Sequence, residues 1–291
     1  MKNLTRYNDG WALVTGATSG IGEAFAQQLA QQGFNLVLIS RNEQKLNKTK
    51  QSISELCGVQ IRTLIIDLSL PDAIEKIKKQ TNDLEISLVI LNAGTENTGE
   101  LIENDLLKET RLVHLNITIP MQLSHHFGQK MKHRKRGAIL FVASLFGYQP
   151  VPFVANYSAS KAYILSLGQA LNVEMKKYGV NVAVLSPGLT KTAMSASMPI
   201  DFSKLPLFYQ QPQQVAKLGL SILGGKASVV SGVLNKFLAW ENRFMPSLFS
   251  AKLMGLLVSR GMRAFAKNGA SARQTNEEKR TPLTLKRNNT L

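Results

Sequence analysis

The chain has 291 residues, of which 44% are hydrophobic, and its formal net charge is +16. This length and composition predict one soluble domain, large enough for an α/β fold, with an appendage. Its single cysteine, Cys57, excludes an intrachain disulfide and a cysteine-based metal cluster.

The N-terminal segment contains no apolar run typical of a signal peptide, and no uninterrupted stretch of ~20 apolar residues predicts a membrane span. We therefore expect a cytoplasmic protein or one that lies peripherally on the cytosolic face of a membrane. The positive charge is concentrated late in the chain. Residues 201–291 hold 14 Lys and Arg against 4 Asp and Glu, a net +10, whereas residues 1–200 hold 21 against 15, a net +6.

Short β-branched runs alternate with longer amphipathic ones up to residue 187. The predicted strands are Trp11–Thr15, Asn35–Ser40, Gln60–Asp67, Ser87–Asn92, Gly137–Ser144 and Val180–Ser186. The predicted helices between them are Ile21–Gln32, Glu43–Leu56, Pro71–Thr81, Asn104–Lys132 and Val154–Lys177. Such alternation predicts an α/β fold, a single doubly wound parallel sheet of Rossmann type with helices on both faces.

Beyond residue 188 the sequence predicts a segment over the site, the end of the sheet, a helical extension and a tail. Residues 189–211 mix Met, Phe and Pro with polar residues, as in a mobile segment over a site, and helix Pro212–Leu223 with strand Ser228–Val230 completes a sheet of about seven strands. We thus expect a domain over residues 1–231, a basic amphipathic helical extension over 232–267 that breaks at Pro246, and a polar, disordered tail over 268–291.

A glycine-rich turn, "LVTGATSGIG", closes the first strand and opens the first helix. Gly16, Gly20 and Gly22 let the backbone approach a pyrophosphate closely, and the helix N-terminus stabilises its charge. Thr18 and Ser19 add hydroxyl donors. The spacing G-x3-G-x-G differs from G-x-G-x-x-G, and the alternative interpretation is simply a tight strand–helix connection.

Arg41 follows the second strand, nineteen residues after Gly22. An arginine at this point favours the 2′-phosphate of NADP(H) over NAD(H), unless it is merely a solvated residue of the next helix. The nucleotide is expected to pass Asp67, at the end of the third strand, and Asn92, Ala93 and Gly94, at the end of the fourth. Either group could instead serve as a helix cap or turn. The further predicted cofactor contacts are Ile21 and Leu68.

Tyr157 and Lys161 lie four residues apart in a predicted helix and so share one face. A positive charge ~4 Å away, at an effective dielectric of ~20, contributes ~4 kcal/mol and lowers a tyrosine pKa by up to ~3 units. This would bring the pKa of Tyr157 close to neutrality, where a general acid or base works best. Taken alone, the pair could also be an ordinary surface pair.

Two further residues accompany this pair. Ser144 ends the fifth strand, thirteen residues before Tyr157, so both hydroxyls can face one substrate oxygen. Pro120 lies four residues after Asn116 and deprives the Asn116 carbonyl of its helical partner. That carbonyl could hold a water beside Lys161, or the proline could produce only a kink.

With these motifs in this order, the sequence resembles the short-chain dehydrogenase/reductase family from about Trp11 to Gly188. "TGATSGIG" is similar to the family's cofactor motif, "LNAG" to its central-sheet motif and "PGLTKT" to its loop after the sixth strand. Asn116, Ser144, Tyr157 and Lys161 resemble its catalytic tetrad.

The resemblance implies that Tyr157 protonates the substrate oxygen, Ser144 orients the carbonyl, Lys161 also binds the nicotinamide ribose, and Asn116 holds a relay water. It implies that Asp67 contacts adenine and that Pro187, Gly188 and Thr192 lie near the nicotinamide. A homo-oligomer is implied as well. The expected reaction interconverts a carbonyl and a secondary alcohol by hydride transfer, and the alternative is a non-catalytic NADP-binding scaffold at membranes.

Apolar residues flank the expected site and predict a small hydrophobic carbonyl or alcohol substrate: Val151, Pro152, Phe153, Met194, Met198, Phe202, Leu205, Leu207 and Phe208. They could instead only pack the loop onto the domain. The extension over residues 233–267 carries leucine and phenylalanine beside lysine and arginine, which suits an anionic membrane surface, a cap over the pocket or a dimer contact.

Neither nucleic acid nor metal is expected to bind. The basic run Lys132–Gly137 has no accompanying aromatic pattern for stacking bases. His114, His125 and His126 have no carboxylate or cysteine at ligand spacing.

Overall fold

The computed structural model describes residues 4–242 and 244–278, excluding the side chains of Thr5 and of residues 268–278. Its strands are β1 Trp11–Thr15, β2 Asn35–Ser40, β3 Ile61–Ile65, β4 Ile86–Leu91, β5 Gly137–Val142, β6 Val180–Ser186 and β7 Ser228–Val230. Its α-helices are α1 Gly20–Ala30, α2 Glu43–Ser54, α3 Ala73–Gln80, α4 Leu106–Val113, α5 Ile119–Arg134, α6 Ala155–Lys176, α7 Ala193–Ser197, α8 Pro212–Ser221, α9 Val233–Glu241 and α10 Ser247–Glu278.

The seven strands form one parallel sheet in the order β3-β2-β1-β4-β5-β6-β7. The strand order reverses between β1 and β4, and in such sheets ligands bind outside the carboxyl ends of the strands at that point. The predicted Rossmann-type doubly wound fold is confirmed, and its glycine-rich turn, "LNAG" motif and Ser144 all follow strand ends at this edge.

Alternating side chains along the central strands supply two cores, one on each face of the sheet. In β5, Leu140 packs into the core that includes α1 and α8, whereas Ile139 and Phe141 pack into the core that includes α5 and α6. Because both faces are covered, all six residues of β5 are buried, and the strand end that carries Ser144 is rigidly supported.

The predicted helix over residues 104–132 is divided by a π-helical turn, His114–Thr118. Within it the amide of Ile119 donates to the carbonyl of His114, five residues earlier. Pro120 has no amide hydrogen to continue the ordinary ladder, so the helix widens by one residue there. This turn contains Asn116, whose side chain is thereby directed toward the site and is buried.

The segment over residues 189–211 is packed, which corrects the expectation of an unpacked, mobile segment. Met198, Ile200, Phe202 and Leu205 are buried in a third core that also contains Val258 of α10. The amide of Asp201 donates to the carbonyl of Gly261 at 3.0 Å. The C-terminal helix therefore covers this segment and removes its apolar side chains from water.

Helix α10 extends to Glu278, into the range where the sequence predicts a tail. Residues 279–291 lie outside the described part of the chain, so the disordered tail stays a prediction. The break before α10 lies at Pro246, as predicted, because proline suits the beginning of a helix and not its interior. In the part of the chain that the structure describes, no helix could cross a membrane.

Candidate active site

The glycine-rich turn has the backbone that a phosphate cradle requires. Gly16 and Gly20 adopt φ values of +66° and +55°, in the left-handed region that favours glycine. A Cβ on Gly22 would overlap the carbonyl oxygen of Gly16. Ser19 precedes α1 without capping it through its side chain, which leaves its hydroxyl and the first helical amides available to an anion. The residues present thus fit the pyrophosphate of a dinucleotide.

Thr15 organises the base of this cradle, a role that sequence reasoning missed. Its hydroxyl donates to the carbonyl of Ile90 at 3.2 Å and accepts hydrogen bonds from the backbone amides of Asn92 and Ala93 at 2.9 and 3.0 Å. The Asn92 side chain in turn donates to the Thr15 carbonyl at 3.1 Å. These bonds join the ends of β1 and β4 and hold the turn open. The only sequence signal was a threonine directly before Gly16.

The expected adenosine end lies at the carboxyl ends of β2 and β3. The hydroxyls of Thr18 and Ser40 are 3.0 Å apart, and the guanidinium of Arg41, 77% exposed, lies 4.0 Å from the carboxylate of Asp67. Partial burial raises the pKa of Asp67, but hydrogen bonds from Ser69 and the charge of Arg41 outweigh it and hold this pKa below its ordinary value. The carboxylate is therefore charged and oriented.

Leu68, another predicted contact, has its side chain buried in the core beneath the sheet, so only its backbone can reach a nucleotide.

The loop after β6 closes the other end of the groove. The amide of Leu145 donates to the Pro187 carbonyl at 2.8 Å, which ties this loop to the end of β5. A Cβ on Gly188 would overlap the side-chain amide of Asn235 in α9. Thr192 caps α7, and its methyl group lies beside Gly20, 2.8 Å from where a Cβ would be. The loop therefore rests directly on the phosphate cradle.

Ser144, Tyr157 and Lys161 meet between these two ends. The side chains of Ser144 and Tyr157 both line the pocket, and Ser144 lies close enough to the phenol to lower its pKa. The ammonium of Lys161 lies 5.6 Å from the centre of the Tyr157 ring and donates to the carbonyl of Val142 at 3.0 Å. Ser144 is held in place because its oxygen accepts the amide of Phe146 at 3.2 Å. One substrate oxygen can therefore contact both hydroxyls.

The electrostatics of this group correct the expectation that Lys161 brings the phenol close to neutrality. Burial raises the pKa of Tyr157 to about 12, although the hydrogen bond from Ser144 acts in the opposite direction. Burial also lowers the pKa of Lys161 to about 8. Removal from water disfavours the charged form of both groups and is the largest cause of each shift. At neutral pH the tyrosine is a protonated acid and the lysine retains its charge.

Asn116 lies behind the lysine and is bonded on both sides of its amide. Its oxygen accepts the amide of Thr95 at 2.9 Å, and its nitrogen donates to the Thr95 carbonyl at 2.9 Å and to the Ser160 hydroxyl at 3.1 Å. A Cβ on Gly94 would lie 3.1 Å from the Asn116 oxygen and 3.4 Å from the Lys161 nitrogen. Asn116 therefore orders the backbone between the lysine and the end of β4.

Glu96 is a second residue that sequence reasoning missed. It is partly enclosed near Tyr157, and its carboxylate accepts the hydroxyl of Thr98 at 2.8 Å. Burial raises the pKa of Glu96, and the neighbouring Glu109 adds to the shift. Its negative charge contributes to the raised pKa of Tyr157. Glu96 lies two residues after "LNAG", and no local sequence pattern identifies it as a site residue.

Most predicted contacts line a single pocket at the carboxyl edge of the sheet: Gly16, Ser19, Gly20, Ile21, Asn92, Ala93, Gly94, Ser144, Tyr157, Lys161, Pro187, Gly188 and Thr192. The others, Thr18, Gly22, Arg41, Asp67, Leu68 and Asn116, are not among its lining residues. One part of the pocket wall is apolar and includes Met194, Met198, Phe202 and Leu207. Of the remaining apolar candidates, Val151 and Leu205 are buried behind this wall, whereas Phe208 is exposed.

The chain belongs to the short chain dehydrogenase family, whose family model matches residues 10–201. It is 33% identical to a 7beta-hydroxysteroid dehydrogenase of Clostridium sardiniense over 235 residues, 81% of this chain and 90% of the relative. It is 32% identical to a very-long-chain 3-oxoacyl-CoA reductase of Mus musculus over 248 residues, 84% of this chain and 78% of the relative. The predicted family and class of enzyme are thereby confirmed.

Solved structures support the same family assignment. A structure from a study of 7beta-hydroxysteroid dehydrogenase stereoselectivity aligns with a TM-score of 0.79 and 27% identity, over 87% of this chain and 99% of the other. A short-chain dehydrogenase from Sphingobium yanoikuyae in complex with NADPH aligns with a TM-score of 0.72 and 26% identity, over 81% and 93%. The chain is thus an oxidoreductase of this family, and relatives with the same fold bind NADPH.

Proposed function

We propose that this enzyme uses NADP(H) to interconvert a carbonyl and a secondary alcohol on a hydrophobic substrate, with Tyr157 as the acid and base. The observation that carries the proposal is that Ser144, Tyr157 and Lys161 line one pocket with an apolar wall. The named relatives act on steroids or on 3-oxoacyl-CoA, both of which present a carbonyl or hydroxyl on a large apolar body.

In the reductive direction the carbonyl oxygen accepts hydrogen bonds from both hydroxyls. A nicotinamide held near Pro187, Gly188 and Thr192 would supply the hydride that the carbonyl carbon accepts. As negative charge develops on the oxygen, Tyr157 transfers its phenolic proton to it, and Ser144 stabilises the same oxygen. Lys161, which keeps its charge below about pH 8, stabilises the resulting phenolate.

Two other features support parts of the proposal. The exposed guanidinium of Arg41 lies at the end of β2, where a 2′-phosphate would pass, and this supports NADP(H) over NAD(H). Met194 and Met198 on the apolar wall are flexible side chains that can adapt to a large substrate.

The experiment follows NADPH oxidation with a panel of steroid ketones, 3-oxoacyl thioesters and short polar ketones. We expect sustained turnover with members of the first two classes. Replacing Tyr157 by Phe should reduce kcat by roughly 10²–10⁴-fold and leave NADPH binding, measured by its fluorescence, unchanged. Tyr163→Phe is the matched control, because Tyr163 is a half-exposed tyrosine on the same helix.

The second candidate function is a cofactor-binding scaffold without chemistry. Binding of NADPH with no turnover across the whole panel, in the unmodified protein, would favour it. Unchanged turnover in the Tyr157→Phe variant would refute the assigned role of the phenol while leaving the enzyme class intact.

A further inference from the structure

Helix α9 presents large apolar side chains to solvent along one face. Val233, Phe237 and Trp240 lie four and then three residues apart, and Phe244 follows four residues later in the turn beyond the helix. Phe237, Trp240 and Phe244 are 55%, 56% and 73% exposed. Their rings contact one another, with centroids 6.2 Å apart in the first pair and 5.1 Å in the second. We call these four residues the aromatic face.

The aromatic face cannot bury itself by a rotation of α9, because the opposite face of the helix is fixed. Ala239 is buried against Leu145 and Val230, beside the active-site strand ends. The side chain of Asn235 donates to the carbonyl of Ser231 at 2.7 Å and packs against Gly188. A rigid, exposed cluster of aromatic rings is a feature of interaction sites and not of ordinary protein surface.

The apolar surface continues into the start of α10. Leu248, Phe249, Leu253 and Leu256 are exposed there. The other side of this helix holds Val258, fully buried against the wall of the substrate pocket. The extension thus has two functions in the fold, since its inner side covers the pocket and its outer side is exposed.

Positive charge accompanies the exposed apolar residues. Residues 233–267 contain six Lys and Arg and one Glu. Among the described ones, Lys236, Lys252 and Arg260 are exposed and form no salt bridge within the described part of the chain. Tryptophan, phenylalanine and leucine beside unpaired basic residues are the combination by which a helix lies in the interface of an anionic bilayer.

We propose that the aromatic face and the exposed start of α10 dock this enzyme on the surface of an anionic phospholipid bilayer. A second copy of the chain is a poorer occupant. In a symmetric dimer the same patch meets itself, so the basic residues of both copies would face each other and repel. Anionic headgroups instead neutralise them while the rings enter the interface.

Docking would hold the pocket close to the bilayer, because α10 lies between the exposed surface and the pocket wall. An apolar substrate dissolved in the membrane would then enter with little exposure to water. The docking itself does not depend on the proposed reaction, so the two can fail independently.

The test uses the full chain and two kinds of vesicle. One is phosphatidylcholine alone, and the other contains roughly 30–40% phosphatidylglycerol, which gives a strongly negative surface potential. We expect sedimentation with anionic vesicles, release as the salt concentration rises, and at least about tenfold weaker binding to neutral vesicles. The triple variant Phe237→Ser/Trp240→Ser/Phe244→Ser should lose binding. Its matched control is Leu101→Ser/Ile102→Ser/Leu106→Ser, three exposed apolar residues elsewhere on the surface.

Tryptophan fluorescence gives a second readout. Trp11 and Trp240 are the two tryptophans, so in a Trp11→Phe variant only Trp240 reports. Its emission should shift to the blue with anionic vesicles and be quenched by brominated lipids. Equal binding to neutral vesicles, or loss of binding by the control triple alone, overturns the proposal. So does a dimer in light scattering that the aromatic-face substitutions abolish, if no vesicle binding accompanies it.

Discussion

The ammonium nitrogen of Lys161 lies 5.6 Å from the centre of the Tyr157 ring, and the lysine is buried beside the partly buried tyrosine. This enclosure has a cost for stability. The pKa of Lys161 is lowered to about 8 from 10.5, so the unfolded chain binds more protons than the folded one between these values. Stability therefore rises with pH across that window, and the penalty is fully present below pH 8.

Replacing Lys161 by Met should remove this penalty. The lowered pKa of Lys161 corresponds to a destabilisation of roughly 3 kcal/mol, which the substitution removes. The substitution also removes the hydrogen bond to Val142, which costs about 1 kcal/mol. We expect the variant to be about 2 kcal/mol more stable at pH 7, with a flatter dependence between pH 8 and 10, and to have little turnover. Urea unfolding at several pH values measures this. A variant less stable than the parent at pH 7 would contradict the prediction.

The raised pKa of Tyr157 predicts different pH profiles for the two directions of the reaction. Reduction uses the protonated phenol, which predominates below about pH 12. Alcohol oxidation uses the phenolate, whose fraction rises about tenfold per pH unit below that pKa. We expect kcat/KM for oxidation to rise with pH. For reduction, titration of Tyr157 should cause no decrease of kcat/KM below pH 9. A plateau of the oxidation profile near pH 7 would show that the phenol is far more acidic.

Glu96 tests the electrostatic part of this picture. Its negative charge helps to raise the pKa of Tyr157, so Glu96→Gln should lower that pKa and move the oxidation profile toward lower pH. The control Glu100→Gln removes an exposed carboxylate on the same loop and should leave the profile in place. Identical profiles for the two variants would remove Glu96 from the electrostatics of the site.

Arg41 is expected to set the cofactor preference. Arg41→Ala removes a charge-assisted contact, worth about 1.5–3 kcal/mol, that only NADPH can make. The KM for NADPH should rise about tenfold or more while that for NADH changes little. Lys48→Ala, an exposed lysine further along α2, is the control and should alter neither value. Equal increases for the two cofactors would refute the assignment.

Gly22 is expected to be indispensable for the phosphate cradle. A Cβ there would overlap the Gly16 carbonyl and crowd the Asn92 side chain, so Gly22→Ala must displace the turn or the start of α1. We expect a loss of NADPH affinity of at least about tenfold and a destabilisation of about 1–3 kcal/mol. The control is Gly58→Ala, because Gly58 has open space around it. It should change neither the NADPH affinity measured by calorimetry nor the melting temperature. Wild-type affinity in Gly22→Ala would contradict this.

Local patterns account for much of what could be predicted. The strands β1, β2, β6 and β7 were predicted with the bounds that the structure shows, because buried parallel strands are short continuous apolar runs between turn residues. The pairing of Tyr157 with Lys161 follows from their spacing on a helix, and the division near Asn116 follows from Pro120. Each of these depends on residues within one or two turns of each other.

Other features depend on contacts between residues far apart in the chain. Thr15 meets Asn92, Glu96 lies near Tyr157, and α10 packs on the segment around Met198, yet none of these pairs has a sequence pattern that brings its members together. Charge alone predicted a phenol close to neutrality, and only the fold showed that burial disfavours the charged forms of Tyr157 and Lys161. The sequence by itself determined the sheet, the cradle and the chemical groups, because periodicity, glycine positions and helical spacing are local. Tertiary structure decided their protonation, the packed wall of the pocket and the exposed aromatic face, because burial depends on the whole surrounding chain.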